Sequence, residues 1–572
     1  MKVLSKYFLL PAFIFAAFGL NAQSDAVFRQ LEKYGEADLA VARKDVAIEE
    51  FTRKVSVWKL SADSVFFNVN AGEFRAFLKS NVNYRFLKRK EYPLKSSGKT
   101  AAQIISSGFN NYPSYLQYDS IMHTFANTYP SICEYVNLGT LPSGRKIIAL
   151  HIGDSVAVTT AEPRFLYTST MHGDETAGYI FMLKLADWLL SNYGSDSTAT
   201  KLVNSLDIWI NPLANPDGTY HGGNASVWGA VRRNGNGIDL NRNYPDPEDG
   251  PHPDGNAYQP ETNIFMAFAD SMHFQMSANF HAGAEVVNYP WDTWSKTTAD
   301  DSWWRFVSHE YADTAQYYNG HNGYFDDFGT GITNGYQWYT ISGGRQDFMN
   351  YFTHCREVTV ELSATKLLPE NKLDQYWNWS KRSLINYMMQ AVYALHGIVS
   401  DSATGLPLAA KVYISAHDKD SSLVYSHLPF GDYYRLLDSG YYSVTFSAPD
   451  YNSKTIDSVR IDRYQAKVLN VSLSKNINGM PFFIRKKKEI GIFPNPASDM
   501  VSFIYDKPGL EAVVRIYSQS GMLVKEKRIK SSGTIYSLDI RDLPQGVYYF
   551  SFATSCSKTL NGGKLIVKRA GK

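Results

Sequence analysis

A chain of 572 residues, 44% hydrophobic and 20% charged, has a globular composition but is too long for one hydrophobic core, so about three or four domains are expected. A formal net charge of +2 gives no global field toward nucleic acid or an acidic membrane surface. Three widely spaced cysteines (Cys133, Cys355 and Cys556) make no disulfide framework and read as buried free thiols.

The N-terminus reads as an export signal over residues 1–22. Lys2 and Lys6 precede the apolar stretch Tyr7–Leu20, and Leu20-Asn21-Ala22 ends in a small residue. The apolar run is short for a retained membrane span, and no later segment approaches that length, so no transmembrane segment is expected in the mature chain. Residues 23–98 read as a small α+β segment, with a helix-like stretch around Asp45–Val55 and a strand-like Val65–Asn70. A basic run, Arg85–Lys99, closes it. That run is either a solvated linker or a processing site, and the second reading makes the segment a pro-segment.

From 109 to 393 the pattern changes. Apolar strand-like runs (Arg164–Thr170, Leu206–Ile210, Gln275–Phe280, Glu357–Leu362) alternate with helical stretches such as Ala177–Ser191, which predicts an α/β domain with helices on both faces of a mixed sheet. Residues 394–475 give short strands with turn signals at Thr404-Gly405, Phe430-Gly431-Asp432 and Ser439-Gly440, the pattern of a small β-sandwich. A linker over 476–488, with the basic run Arg485–Lys488, leads to a second all-β segment, 489–572.

The chemistry concentrates in the α/β domain. His172-Gly173-Asp174-Glu175 follows one strand-like run and precedes a helix, so two ligand-type side chains at i and i+3 can approach one cation. His281 follows another such run. Together they offer three protein ligands and leave a fourth position for water, the stoichiometry of a catalytic zinc site. In open α/β sheets, ligands bind beyond the C-terminal ends of the strands, where His172, His281 and Glu361 all fall.

The segments Met171–Glu175, Asn215-Pro216-Asp217-Gly218, Arg232-Arg233-Asn234, Asp239–Asn243, Asn279-Phe280-His281 and Glu357–Leu362 occur in order. Jointly they resemble the carboxypeptidase A/B family of zinc carboxypeptidases, in the branch containing carboxypeptidases N, E and D. The resemblance covers about half the chain. It implies a secreted metallocarboxypeptidase with one zinc ion on His172, Glu175 and His281, acting on peptide or protein C-termini and not on nucleic acid. Glu361 matches the family's general base, and Arg232 the arginine that stabilises the oxyanion; the neighbouring Arg233 is the competing assignment. Asn241 and Arg242 match the pair that binds the terminal carboxylate, and Tyr339 the tyrosine that closes over it. Asp239 matches the acid that orients the first histidine. Asp292, eleven positions after His281, matches the aspartate that receives a basic side chain, which implies a preference for C-terminal Lys or Arg.

Residues 394–475 resemble the transthyretin-like sandwich of the same branch, through Gly397-Ile398-Val399, Thr404-Gly405-Leu406-Pro407 and Gly431–Leu437. Residues 489–572 resemble a type IX secretion sorting domain, through Pro494-Asn495-Pro496, Ile516–Gly521 and Leu543–Tyr548. That implies a partner in the type IX machinery, passage across a Gram-negative outer membrane, and release or attachment at the cell surface. The competing readings are a zinc deacylase or peptidoglycan endopeptidase on the same sheet, which has less reason to keep Asn241, Arg242 and Tyr339, and a non-catalytic binding protein.

Overall fold

The computed structural model describes residues 23–89, 98–476, 491–504, 511–519, 521–530, 535–554 and 557–569. The expected signal at 1–22, nearly all of the linker, the middle of Arg85–Lys99 and Cys556 lie outside the described residues. Cys133 and Cys355 are buried and free. No described helix is long and apolar enough to cross a membrane.

The chain divides into two compact units, 1–475 and 476–572. At the centre of the first is an eight-stranded mixed sheet. Its spatial order is Ile332–Asn334, Glu285–Tyr289, Arg356–Leu362, Met276–His281, Arg164–Ser169, Asp207–Asn211, Lys146–Ile152 and Cys133–Thr140. The strands 356–362, 276–281, 164–169 and 207–211 run parallel, each to the next. All four are buried along their whole length, which is why they read as apolar runs rather than alternations.

Helices cover both faces. On one, Tyr115–Thr128, Ala177–Asn192, Asp301–Asn319 and Leu373–Val392 close the larger core. On the other, Pro260–Met272 and Arg345–Phe352 close a smaller one. Helix 177–192 is apolar nearly all round, so it sits inside, between sheet and outer helices. The three central parallel strands end side by side. His172 lies just beyond 164–169, His281 is the last residue of 276–281, and Glu361 sits at the end of 356–362 in register with His281. Sequence pattern placed His281 in the turn; backbone pairing with strand 356–362 extends the strand to include it.

Residues 23–89 form an antiparallel sheet in the order Ser56–Leu60, Ser64–Asn70, Glu36–Ala42, Tyr84–Leu87. A helix over 23–34 and the helix Ala71–Leu78 pack on it, the latter capped by Asn70, whose side chain accepts from the Gly72 and Glu73 amides. Beyond the eight-stranded sheet, residues 395–473 build two four-stranded sheets around one apolar core. The second unit is another two-sheet sandwich, with three strands on one side and four on the other.

Candidate metal centre and substrate cleft

His172, Glu175 and His281 converge at the sheet's C-terminal edge. His172 Nδ1 lies 3.0 Å from Glu175 Oε2 and 3.0 Å from His281 Nδ1, and His281 Nδ1 lies 2.8 Å from Glu175 Oε2. They are the one buried cluster among the described residues able to offer three ligand atoms to an ion. Two imidazoles and a carboxylate are a donor set that zinc accepts, with bonds of about 2 Å.

The outer contacts fix which nitrogen faces inward. His172 Nε2 sits 3.0 Å from Asp239 Oδ1, so the carboxylate accepts the ring N–H there and leaves Nδ1 with its lone pair free. Burial and Arg232 act to lower the His172 pKa, but Glu175 and Asp239 outweigh them and it is raised. The second ring behaves differently: burial pulls His281 down to about 4, which keeps it neutral. Its Nε2 meets the Asn279 side-chain amide at 2.7 Å.

Around the cluster is a narrow cavity of ≈ 20 Å³, lined by Arg232, Asn241, Arg242, Asn288, Tyr339 and Glu361, among others. That is room for about one water. Glu361 is buried, and its Oε2 has no hydrogen-bond partner. Burial first, then the Glu175 carboxylate, pushes its pKa well above the ordinary carboxylate range. Arg232 Nη1 donates to Glu175 Oε1 at 3.0 Å, and its Nε lies 3.1 Å from Asp239 Oδ2. Arg233 points elsewhere, to Asn68 and Glu73 of the N-terminal sheet, so of the two neighbours only Arg232 enters the cavity.

Arg242 is buried, and its Nε and Nη2 have no partner, while Nη1 donates to the Asn241 carbonyl at 2.8 Å. Burial, reinforced by Arg232 and opposed by Asp239, lowers its pKa. A buried guanidinium edge without an acceptor is costly unless an anion visits it. Asn241 Oδ1 accepts from the Arg345 amide at 2.9 Å, which fixes the side chain beside Arg242.

Asp292 stands one layer behind the lining. Its Oδ1 accepts from Asn288 Nδ2 at 2.9 Å and from Gln346 Nε2 at 3.1 Å, and its backbone amide donates to Asp347. A Cβ at Gly335 would meet Asp292 Oδ1 at 1.8 Å, so only glycine fits that approach. Burial raises the Asp292 pKa to about 7, with Arg242 pulling the other way. Asn288 itself lines the cavity, and its Oδ1 is buried without a partner. Sequence reading gave Asn288 no role, although it stands four positions before Asp292, on the strand Glu285–Tyr289. It also missed Ser56 and Trp58, which come from the N-terminal sheet and carry no motif.

Residues 118–383 match the Zinc carboxypeptidase family, and residues 491–568 match the Secretion system C-terminal sorting domain. Mouse Carboxypeptidase D is 37% identical over 353 residues, 58% of this chain, but the match spans only 25% of that relative's length. Carboxypeptidase SOL1 of Arabidopsis thaliana is 32% identical over 345 residues, 59% of this chain and 67% of its own. The human Carboxypeptidase N catalytic chain is 32% identical over 403 residues, 63% of this chain and 86% of its own. With identity at that level sustained across most of a relative's length, on a domain whose strand ends gather a His–Glu–His cluster, the chain belongs to the zinc carboxypeptidase family.

Proposed function

We propose that the protein is an exported zinc metallocarboxypeptidase that removes C-terminal Lys or Arg residues from peptides and proteins. The observation that carries this reading is the buried, unpartnered edge of Arg242 beside the His172–Glu175–His281 cluster. A fixed, buried cation facing a narrow cleft selects a free terminal carboxylate, which a planar guanidinium can bind through two hydrogen bonds.

His172, Glu175 and His281 would hold one zinc ion, which supplies Lewis acidity and lowers the pKa of water. Glu361 takes a proton from the attacking water and returns it to the leaving amine; its raised pKa suits it to both transfers. Arg232 donates to the oxyanion of the tetrahedral intermediate, and Asp239 keeps both Arg232 and His172 oriented. Asn241 and Arg242 hold the carboxylate, and Tyr339 covers it. Asp292, with Asn288 in front of it, receives the basic side chain. The sorting domain supports export through the type IX machinery of a Gram-negative bacterium, with the product released or attached at the cell surface.

The test is a ladder of peptides ending in each amino acid, with the released residues identified. Peptides ending in Arg or Lys should be cut at least ~10-fold better in kcat/KM than those ending in Phe or Leu. A chelator should abolish release and zinc restore it. Release that ignores the chelator, or favours Phe, would overturn the assignment.

A further inference from the structure

Across the eight-stranded sheet, six neighbouring strands each place one polar residue at the same level. In register, Asn211 pairs with Thr168, Thr168 with Asn279, Asn279 with Thr359, Thr359 with Asn288, and Asn288 with Thr333. All six are buried. Paired residues share a face of a sheet, so asparagine and threonine alternate in one row. Two residues earlier on their strands, the same face carries apolar side chains, Leu166 and Trp209. Polar groups buried there are costly unless each finds a partner. Thr359 and Asn288 line the substrate cavity, but Asn279 does not.

Asn279 instead touches the back of a proposed ligand. It stands two residues before His281 on one strand, so both side chains leave on the same face. Its side-chain amide lies 2.7 Å from His281 Nε2, while His281 Nδ1 faces Glu175 and His172. On the other side, Thr168 Oγ1 donates to Asn279 Oδ1 at 3.2 Å. The remaining contact of the amide, Met171 Sδ at 3.2 Å from Nδ2, is a weak acceptor.

A neutral imidazole that offers its Nδ1 lone pair to an ion carries its hydrogen on Nε2. Asp239 accepts that hydrogen from His172, but no described carboxylate pairs with His281 Nε2. Only the amide is in reach, and it accepts through its oxygen. A half-turn of the amide exchanges Oδ1 and Nδ2 without changing its shape. The Thr168 hydroxyl, which donates or accepts, serves either orientation.

We propose that Asn279, held by Thr168, is the positioning residue of the second zinc ligand: it accepts the Nε2 hydrogen of His281 and keeps the Nδ1 lone pair turned to the ion. That role rests on the zinc site of the carboxypeptidase reading. The two histidines then have unequal partners. A carboxylate behind His172 fixes its ring and adds to its basicity, whereas a neutral amide behind His281 only fixes the ring.

Zinc affinity of the full chain, measured by competition with a chromogenic chelator, tests this. Asn279→Leu, of similar size and without polar atoms, should weaken zinc at least ~10-fold. Thr168→Val leaves Asn279 in place without its hydroxyl partner and should weaken zinc by about threefold. Asn279→Asp, which can only accept, should bind zinc at least as tightly as the unaltered protein. An asparagine that merely packs the strand would lose affinity in Asn279→Asp as well, and that result would refute the proposal. Unchanged affinity in Asn279→Leu would remove the proposal and leave the zinc site standing, whereas an unaltered protein that bound no zinc would bring down both. If Asn279→Leu does not fold, Thr168→Val decides, and undiminished affinity there would refute the role of Asn279.

Discussion

The N-terminal sheet and the sandwich of residues 395–473 both dock on the catalytic domain through buried polar side chains, at opposite ends of one strand. At the start of Arg356–Leu362, Arg356 donates to Asp300 at 2.9 Å, Asp300 also receives both Nη groups of Arg435, and Arg435 reaches Asp418 of the sandwich. Five strand steps on, roughly 17 Å away, Glu361 faces the cavity that Trp58 helps to line. The sandwich joint consists of desolvated charges that pair with one another, with only Arg356 Nε and Arg435 Nε left without a partner. Burial alone would raise the Asp300 pKa, yet Arg435 and Arg356 hold it well below the carboxylate range. At the N-terminal joint, Ser56 Oγ accepts from Arg232 Nε at 2.7 Å and donates to Asp239, and Glu36 accepts from the backbone amides of Arg232 and Arg233. A joint whose charges pair among themselves is architecture, whereas the other shares its partners with the groups proposed to handle substrate.

The largest effect should come from breaking the architectural joint. Asp300→Ala leaves Arg356 and Arg435 buried without their shared acid, a change that costs about 3–5 kcal/mol. Denaturant unfolding of the full chain should show that loss, whereas Trp58→Ala should move the midpoint far less. An unchanged midpoint for Asp300→Ala would mean that the sandwich is held by its apolar contacts alone.

Chemistry tied to strand ends was legible in the sequence, and chemistry borrowed across domains was not. His281 and Glu361 stand at the ends of apolar runs, His172 and Glu175 lie in the turn after another, and parallel strands that end together bring them within reach of one another. Arg232 was preferred to Arg233 on motif spacing alone, because adjacent residues in an irregular loop have no period to assign their faces. The structure separates them by partner, Glu175 for one and Glu73 for the other. The strands Cys133–Thr140 and Lys146–Ile152 went unread: the first is half-buried or exposed at all but one position, with no clear alternation. Trp58 could not be found at all. Its place depends on a bulge in strand 56–60 and on docking more than a hundred residues away along the chain.

A smaller effect concerns selectivity, which belongs to neither joint. The polar partners of Asp292 (Asn288, Gln346 and Asp347) all come from the catalytic domain. The preference for Arg over Leu should therefore be the same with and without Trp58. It should also depend on pH. Asp292 must be ionised to hold a cation, and burial has raised its pKa to about 7. The preference should be full above that pH and fade as pH falls through 7, read as the ratio of kcat/KM values. Asp292→Asn should erase most of a ~10-fold ratio at every pH while zinc content stays the same. A ratio that persisted in Asp292→Asn would move the cation site to another residue.

The smallest effect should come from the rim of the N-terminal joint. Arg53 pairs with Asp249 and, at 3.6 Å, with Glu248, and these side chains are 27%, 36% and 46% exposed. Water competes for all three, and holding a long arginine in one geometry costs entropy, so such pairs contribute about 0–1 kcal/mol. Glu36 differs in kind: it is buried, and the two backbone amides it satisfies would be left bare if the domain lifted. Arg53→Ala should therefore speed chelator access to the zinc by no more than about fivefold, and added salt should shrink even that difference. Trp58→Ala should act at least twice as strongly and be insensitive to salt, because an indole lining the cavity has no charge to screen. If Arg53→Ala opened the site as far as Trp58→Ala, the N-terminal domain would be held by its rim rather than by its buried contacts.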